Sequence, residues 1–462
     1  MSRSGVWFAS VAAIAIVAMA PNAQAETVGG ALAKAYLSNP DINQQRAAVR
    51  VADENIPKAN SGYLPTVSAE ADAGWSDTQA SNLGVGSGTS YQTSYPRGYG
   101  LTVNQNIWNG NRTINSVRQA ESGVLGAREQ LRNTEQNVLL SAVTFYMDVL
   151  RDTAILGLDR NNVEVLQEQL RQTQDRFNVG EVTRTDVAQA EASLAGARAT
   201  ALTAQSTLQA SVANYRQAIG EEPKSLSPVA PVVKPLPKTL PEAVAISQVE
   251  HPAIVASLNG VDAAALAIKI TEGQLYPTVG LTGTVSKRFD VQGYANGSQT
   301  LGGSVVGQIS IPIYEGGAVY AATRQAKEQL GQQELQTDLQ RDKVRATVVA
   351  AWGANQNSLG ILRAAQAQVE AAEVALAGVR EEAKVGQRTT LDVLNAQQTL
   401  LNARVQLVTA QHDQVVNSYN LLSSVGRLSI QTLGIAVAEY DPRVHFDQVK
   451  NKWIGLRTPD GK

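Results

Sequence analysis

The sequence predicts a mainly helical protein of long helical hairpins that also carries four amphipathic β-strands, too few to close a barrel within one chain. Three observations predict it. The chain repeats itself at a constant spacing. Its hydrophobic period switches from 3.6 to 2 at corresponding places in each copy. Two proline-free stretches of coiled-coil pattern, 111–178 and 317–384, are far too long for a compact core.

The chain opens with an address. Arg3 precedes an apolar run from Val6 to Ala20, and Ala23-Gln24-Ala25 has the small-x-small form of a signal-peptidase site, so residues 1–25 read as a signal peptide cleaved before Glu26. The run is short for a membrane helix, and no other stretch is read as reaching that length without charges. The mature chain therefore leaves the cytoplasm, and any membrane span must use strands.

The repeat explains the rest. Ala31, Pro40, Ile42, Ala52 and Pro65-Thr66-Val67 recur as Ala243, Pro252, Ile254, Ala264 and Pro277-Thr278-Val279, at an offset of 212. From Gly110 and Gly316 onward the offset is 206, and it holds through Ile155-Leu156, Val179-Gly180, Asp186-Val187 and Arg198 to Gly220 and Gly426. Residues 26–220 are thus a first copy and 239–426 a second. The Pro-rich stretch 221–238 is a stiff connector, and 427–462 is a tail without counterpart.

Within each copy the elements follow in order. Residues 27–57 and 239–272 are alanine-rich and helical, and Tyr63-Leu64-Pro65 and Leu275-Tyr276-Pro277 stop them. Alternation then begins. Val67, Ala69, Ala71, Ala73 and Trp75 share a face, as do Tyr99, Leu101, Val103 and Ile107. In the second copy Val279, Leu281, Val285 and Phe289 do so, and likewise Val305, Ile309, Ile311 and Ile313. Asp77–Arg97 and Asp290–Gln299 read as polar linkers. Aromatics stand near the strand ends (Trp75, Tyr99, Trp108, Tyr276, Phe289, Tyr314), as in the girdles of membrane barrels. Since no open sheet edge survives in lipid, several chains must pool their strands.

The helix from Asn111 to Asn178 carries the seam Leu139, Ala142, Tyr146, Val149, Leu156, Val163, Leu170 and Phe177; Phe177 reads as packing. Second helices follow at 186–219 and 392–425. The turns between are the hairpin tips. Gly180 and Gly386 suit the left-handed position that ends a helix, and Thr183-x-x-Asp186 and Thr389-x-x-Asp392 have the form of capping boxes. Arg388 has no capping role.

Composition excludes most chemistry. There is no cysteine, and His251, His412 and His445 have no metal-ligand spacing. With 39 basic and 41 acidic residues there is no electrostatic case for nucleic acid. The Gly-rich run 84–88 lacks the lysine of a phosphate-binding loop. We expect no enzyme and no cofactor.

The signal peptide, the duplicated helix–strand pair–hairpin plan and the tips V-G-x-x-x-x-x-D-V and V-G-x-R-T-x-x-D-V-L together resemble the TolC family of outer-membrane efflux and secretion channels. The resemblance covers residues 26–430. It implies a Gram-negative outer-membrane homotrimer, with four strands per chain in a shared twelve-stranded β-barrel and the hairpins in a periplasmic α-barrel. The implied role is a passive exit duct for tripartite efflux or type I secretion, in contact with outer-membrane lipid. It would work with a periplasmic adaptor and an inner-membrane pump of ABC, RND or MFS type. The resemblance also implies site residues. Arg388 would bond to Thr185 and Asp186 in a periplasmic gate, and Asp392 and Asn395 would line a lumen constriction. Val179, Gly180, Val385 and Gly386 would meet the adaptor. The sequence departs from the family pattern twice: Ala383 replaces a gate tyrosine, and Asn395 replaces a second aspartate, which weakens the acidic constriction. A pore-free periplasmic scaffold is the alternative reading, and it leaves the strands without a purpose. The tail, with Trp453 as its packing anchor, is expected to wrap the tube beside the connector.

Overall fold

The computed structural model describes residues 25–81, 89–291 and 297–461. The signal-peptide reading and the Gly-rich run 84–88 lie outside the described residues. Both copies begin with paired helices, α1 (Val28–Ser38) and α2 (Pro40–Asp53) in the first. Each predicted single helix is broken, because proline at the first position of the next helix has no N–H to donate to the preceding one. Asn39 Oδ1 caps α2 by accepting from the Asp41 N–H at 2.9 Å. A short α3 (Asn55–Asn60) leads to the sheet.

The strands are β1 (Thr66–Ala73), β2 (Ser76–Ser81), β3 (Thr89–Ser94) and β4 (Arg97–Trp108). The linker reading of Asp77–Arg97 is thereby corrected, since β2 and β3 pair as an antiparallel hairpin. Its residues are mostly Ser, Thr and Gln, and backbone pairing with a Thr93–Asp77 side-chain bond joins its strands without the apolar alternation by which a strand is recognised. After β4, Gly110 and Asn111 are both left-handed, and α4 (Arg112–Asn178) runs for 67 residues, about 100 Å. Then α5 (Arg184–Ile219) returns.

The second copy repeats the plan with α6 (Leu240–Glu250), α7 (Pro252–Glu272), β5 (Thr278–Phe289), β6 (Gln299–Ser310), α8 (Ala318–Lys384) and α9 (Thr390–Ser424). Ile311 and Ile313 fall beyond β6. The segment Leu240–Leu275 is long and apolar enough to cross a membrane, contrary to the expectation that no other stretch is. It is broken at Pro252, however, and its α7 part packs along α4 and α8.

The main sheet has the antiparallel order β1-β4-β5-β6, so β1 and β6 are both edges without a partner strand among the described residues. Its two faces differ sharply. One carries Val67, Ala69 and Ala71, then Val103, Leu101 and Tyr99, then Leu281 and Val285, then Ile309, Val305 and Leu301. The other carries Glu70 and Asp72, Asn104 and Thr102, Thr282, Thr284 and Arg288, and Ser304. Arg288 reaches across β4 to Asp72 at 3.2 Å, over Gly98, whose missing Cβ would lie 3.1 Å from the Arg288 side chain.

The largest core lies partway down the hairpins. Leu32, Tyr36, Ile42, Leu139, Val143, Tyr146, Tyr215, Leu422 and Leu428 are buried there. Connector residues Leu226, Val229, Val232 and Leu236 pack on it beside tail residues Leu433, Val437 and Tyr440. The Tyr146 hydroxyl shares its single proton between the Glu26 and Ser227 carbonyls, 2.6 and 2.8 Å away. The tail ends in α10 (Pro442–Val449), where His445 Nδ1 lies 2.9 Å from the buried Asp53 carboxylate and Arg128 stacks over Phe446. Trp453 is 74% exposed, so it is not the anchor; Tyr440, His445 and Val449 are. A bulky ring advertises burial only where a partner surface reaches it.

Candidate gate and docking tips

Each tip closes by the same backbone logic. At the first, Gly180 has φ +82°, the Gly180 N–H donates to the Phe177 carbonyl and the Glu181 N–H to the Arg176 carbonyl. At the second, Gly386 has φ +79°, with Gly386 bonded to Ala383 and Gln387 to Glu382. This is the six-to-one closure that a left-handed residue permits. Val179 and Val385 crown the two turns, 73% and 72% exposed. Phe177 is also substantially exposed, so within the protomer its ring is not packed as expected.

Both capping boxes are present. Asp186 Oδ2 accepts from the Thr183 N–H at 2.8 Å and Oγ1 at 2.7 Å, while Thr183 Oγ1 receives the Asp186 N–H. Asp392 does the same with Thr389 at 2.9 and 2.9 Å. Bonds from the Thr183 hydroxyl and then its backbone hold the Asp186 carboxyl below the usual range; bonds from the Thr389 backbone and then its hydroxyl do so for Asp392. Both are therefore anions at neutral pH, each with a second oxygen free of the cap.

Arg388 is exposed, and its Nε donates to Glu382 Oε2 at 2.8 Å, which raises its already high pKa. Within one protomer it thus meets Glu382, not Thr185 or Asp186. The Thr185 side chain is exposed and has no hydrogen bond among the described residues. Glu382 is a residue that sequence reasoning missed. The available signal was a carboxylate six residues before Arg388, across a Val-Gly turn that folds the chain back on itself.

The two hairpins meet just above the tips, where Leu166, Leu194 and Ala197 pack on Leu394. Asp392 and Asn395 lie one helical turn apart on α9. Asn395 lines a cleft of about 350 Å³ with Asp159 and Asn162 of α4. Burial raises the Asp159 pKa, and Asn162 Oδ1 is buried without a partner. A second groove of about 800 Å³ runs between α4 and α8, lined by Glu164, Glu168, Arg176, Arg380 and Lys384. Among the described residues there is no group of three or more His, Cys, Asp or Glu that could hold a metal ion.

The family model for outer membrane efflux proteins matches residues 31–221 and 245–427, the two copies of the repeat. The chain is 42% identical to the outer membrane efflux protein BepC of Brucella suis over 95% of its own length and 94% of that protein. It is 27% identical to the outer membrane protein TolC of Escherichia coli, over 89% and 84%. The fold is that of the CmeC outer membrane channel of Campylobacter jejuni, with a TM-score of 0.77, 17% identity, and 92% and 89% of the two chains covered. A signal-like start, a duplicated strand-and-hairpin plan and an amphipathic sheet have here a common origin: the chain belongs to the outer membrane efflux protein family and resides in the outer membrane.

Proposed function

We propose that three copies of this chain form an outer-membrane channel-tunnel, the passive exit duct of a tripartite efflux or type I secretion system. The observation that carries this reading is the four-stranded sheet with one apolar face, one polar face and two unpaired edges. In lipid those edges must be paired, and pairing β6 of one copy with β1 of the next closes a ring without an edge. Three copies supply twelve strands, with the polar face of Asp72, Thr284 and Arg288 inward. The hairpins, about 100 Å long, continue the tube into the periplasm.

The tips are the gate. Between adjacent protomers, Arg388 exchanges Glu382 for Thr185 and the free oxygen of Asp186, and three such charge-assisted links hold the iris closed. Exposed pairs are individually weak, so the gate stays within reach of a partner's binding energy. Asp392 and Asn395 narrow the lumen beside it. The exposed turns at Val179-Gly180 and Val385-Gly386 meet a periplasmic adaptor, and the energy comes from an inner-membrane ABC, RND or MFS-type pump. No catalysis or cofactor belongs to this chain's part.

Single-channel conductance in planar bilayers tests the reading, wild type beside Arg388→Ala. Small wild-type steps that grow several-fold in the variant are expected. Equal steps would place the gate elsewhere. No steps from a correctly folded trimer would favour a pore-free scaffold.

A further inference from the structure

The end of the sheet farthest from the helices carries a feature that a duct does not require. Arg97 and Lys287, on neighbouring strands, both stand over the ring of Phe289, the guanidinium carbon at 5.5 Å and the ammonium nitrogen at 5.2 Å from its centre. All three belong to the apolar face: Arg97 is in register with Phe289, and Lys287 with Tyr99 and Leu301. Two cations gathered at one ring repel each other, and an anion set between them would turn that repulsion into attraction. Asp290 supplies one such anion, with Oδ2 3.3 Å from Arg97, but its Oδ1 accepts the Gly297 N–H. Lys287 has no anionic partner among the described residues.

The same height on the polar face is different, since Arg288 is neutralised there by Asp72. The opposite end of the apolar face is different again: Val67, Gln105, Val279 and Ile309 bear no charge, and Trp108 and Tyr276 stand close by. Directly below the two cations runs an apolar groove of about 440 Å³. Gly283 and Gly303, set diagonally between Val285 and Val305, open it, and Leu101 and Val103 floor its side.

We infer that Arg97 and Lys287 bind the phosphate of an outer-leaflet lipid, one of whose acyl chains lies in the groove between Leu101 and Val305. The inference rests on the proposed trimer, in which the apolar face meets lipid. Basic side chains at a bilayer surface favour anionic headgroups, and an aromatic belt fixes their depth. A pair of cations over one ring at this end of the face, and none among the described residues over Trp108 or Tyr276 at the other, distinguishes the two leaflets.

The test is the heat resistance of the purified trimer on gels, titrated with bis-phosphorylated lipid A, with the same lipid dephosphorylated, and with inorganic phosphate. The phosphorylated lipid is expected to raise the dissociation temperature of the wild type, and the other two are not. Arg97→Gln/Lys287→Gln should need about 10- to 30-fold more lipid for the same rise, whereas Arg288→Gln should respond as wild type. A double variant that responds normally, a wild-type shift reproduced by inorganic phosphate or by the dephosphorylated lipid, or loss of the response in Arg288→Gln instead would each overturn the inference. If the double variant does not assemble, Lys287→Gln, which breaks no ion pair, decides between the same outcomes. Failure of the wild type itself to form trimers would count against the trimer, a separate result.

Discussion

At the first tip Arg176 pairs with Glu181 at 3.0 Å; at the second, the residue equivalent to Arg176 is Glu382, and it pairs with Arg388 at 2.8 Å. The turn is bridged both times, with the charges exchanged. Because glycine and the capping box already fix the backbone, folding does not dictate the polarity of the bridge. The guanidinium of the second tip stands after the turn rather than before it, facing the start of α9. Such a choice, neutral for folding, is open to selection by function. At the other ends of the hairpins the copies differ in the reverse sense, with like roles filled by unlike chemistry. His251 Nδ1 caps α7 where Asn39 caps α2, and Gly426 ends α9 in much tighter quarters than Gly220 ends α5.

The largest expected effect would separate those two glycines. Both have φ near +90°, but a Cβ on Gly426 would meet the His251 backbone at 2.7 Å, whereas on Gly220 it would meet only the Ser38 hydroxyl at 3.2 Å. Gly426→Ala should cost about 3–5 kcal/mol and Gly220→Ala about 1–2 kcal/mol, read from denaturant unfolding. Equal losses would mean that the two ends are packed alike after all.

Next comes the cap chemistry. Burial, aided by Arg132, depresses the His251 pKa to about 4, so the folded state keeps the ring neutral and able to accept the Ala253 N–H. The unfolded chain takes up a proton near pH 6.5. The cap's contribution is therefore complete above that pH and falls away toward pH 4, by at most about 3 kcal/mol. His251→Asn, which installs the first copy's solution, should flatten this acid limb in a series of melting temperatures against pH. An unchanged limb would assign it to other groups.

A smaller effect has the opposite sign. Burial pulls the His412 pKa down, but Asp148 at 3.0 Å and Asp413 at 2.8 Å together outweigh it and leave the pKa raised. That stabilisation is present below the unfolded pKa and lost as pH rises through the folded value. The first copy has Ser206 at this place, so His412→Ser should remove the alkaline decline and leave the acid limb intact. The smallest effect belongs to the tips. Exchanging Arg176 and Glu181 should move the melting temperature by no more than about 1 °C, because exposed pairs contribute little. A larger drop would show that the bridge matters to the fold.

Much of this architecture was legible because it is periodic or local. The duplication declared the copies, seam positions such as Leu139 and Tyr146 are buried, and the Thr-x-x-Asp caps form within four residues. What escaped lacks either property. The β2–β3 hairpin has no apolar face to betray it. Trp453 is large but meets no partner surface, whereas His445 is anchored by Asp53, nearly four hundred residues away in sequence. At the second tip the turn and cap were legible and the partner of Arg388 within the protomer was not. Glu382 holds Arg388 across a turn, a contact set by the fold of the Val-Gly tip and not by any helix-face spacing.

The unpaired edges of β1 and β6 also govern inheritance. On the proposed three-fold closure each ring is only as sound as its worst member, because every junction takes one edge from each neighbour. When a cell makes equal amounts of intact chain and of a variant with a spoiled β6 edge, random mixing leaves about one ring in eight free of the variant. A lesion in that strand would behave as a dominant one.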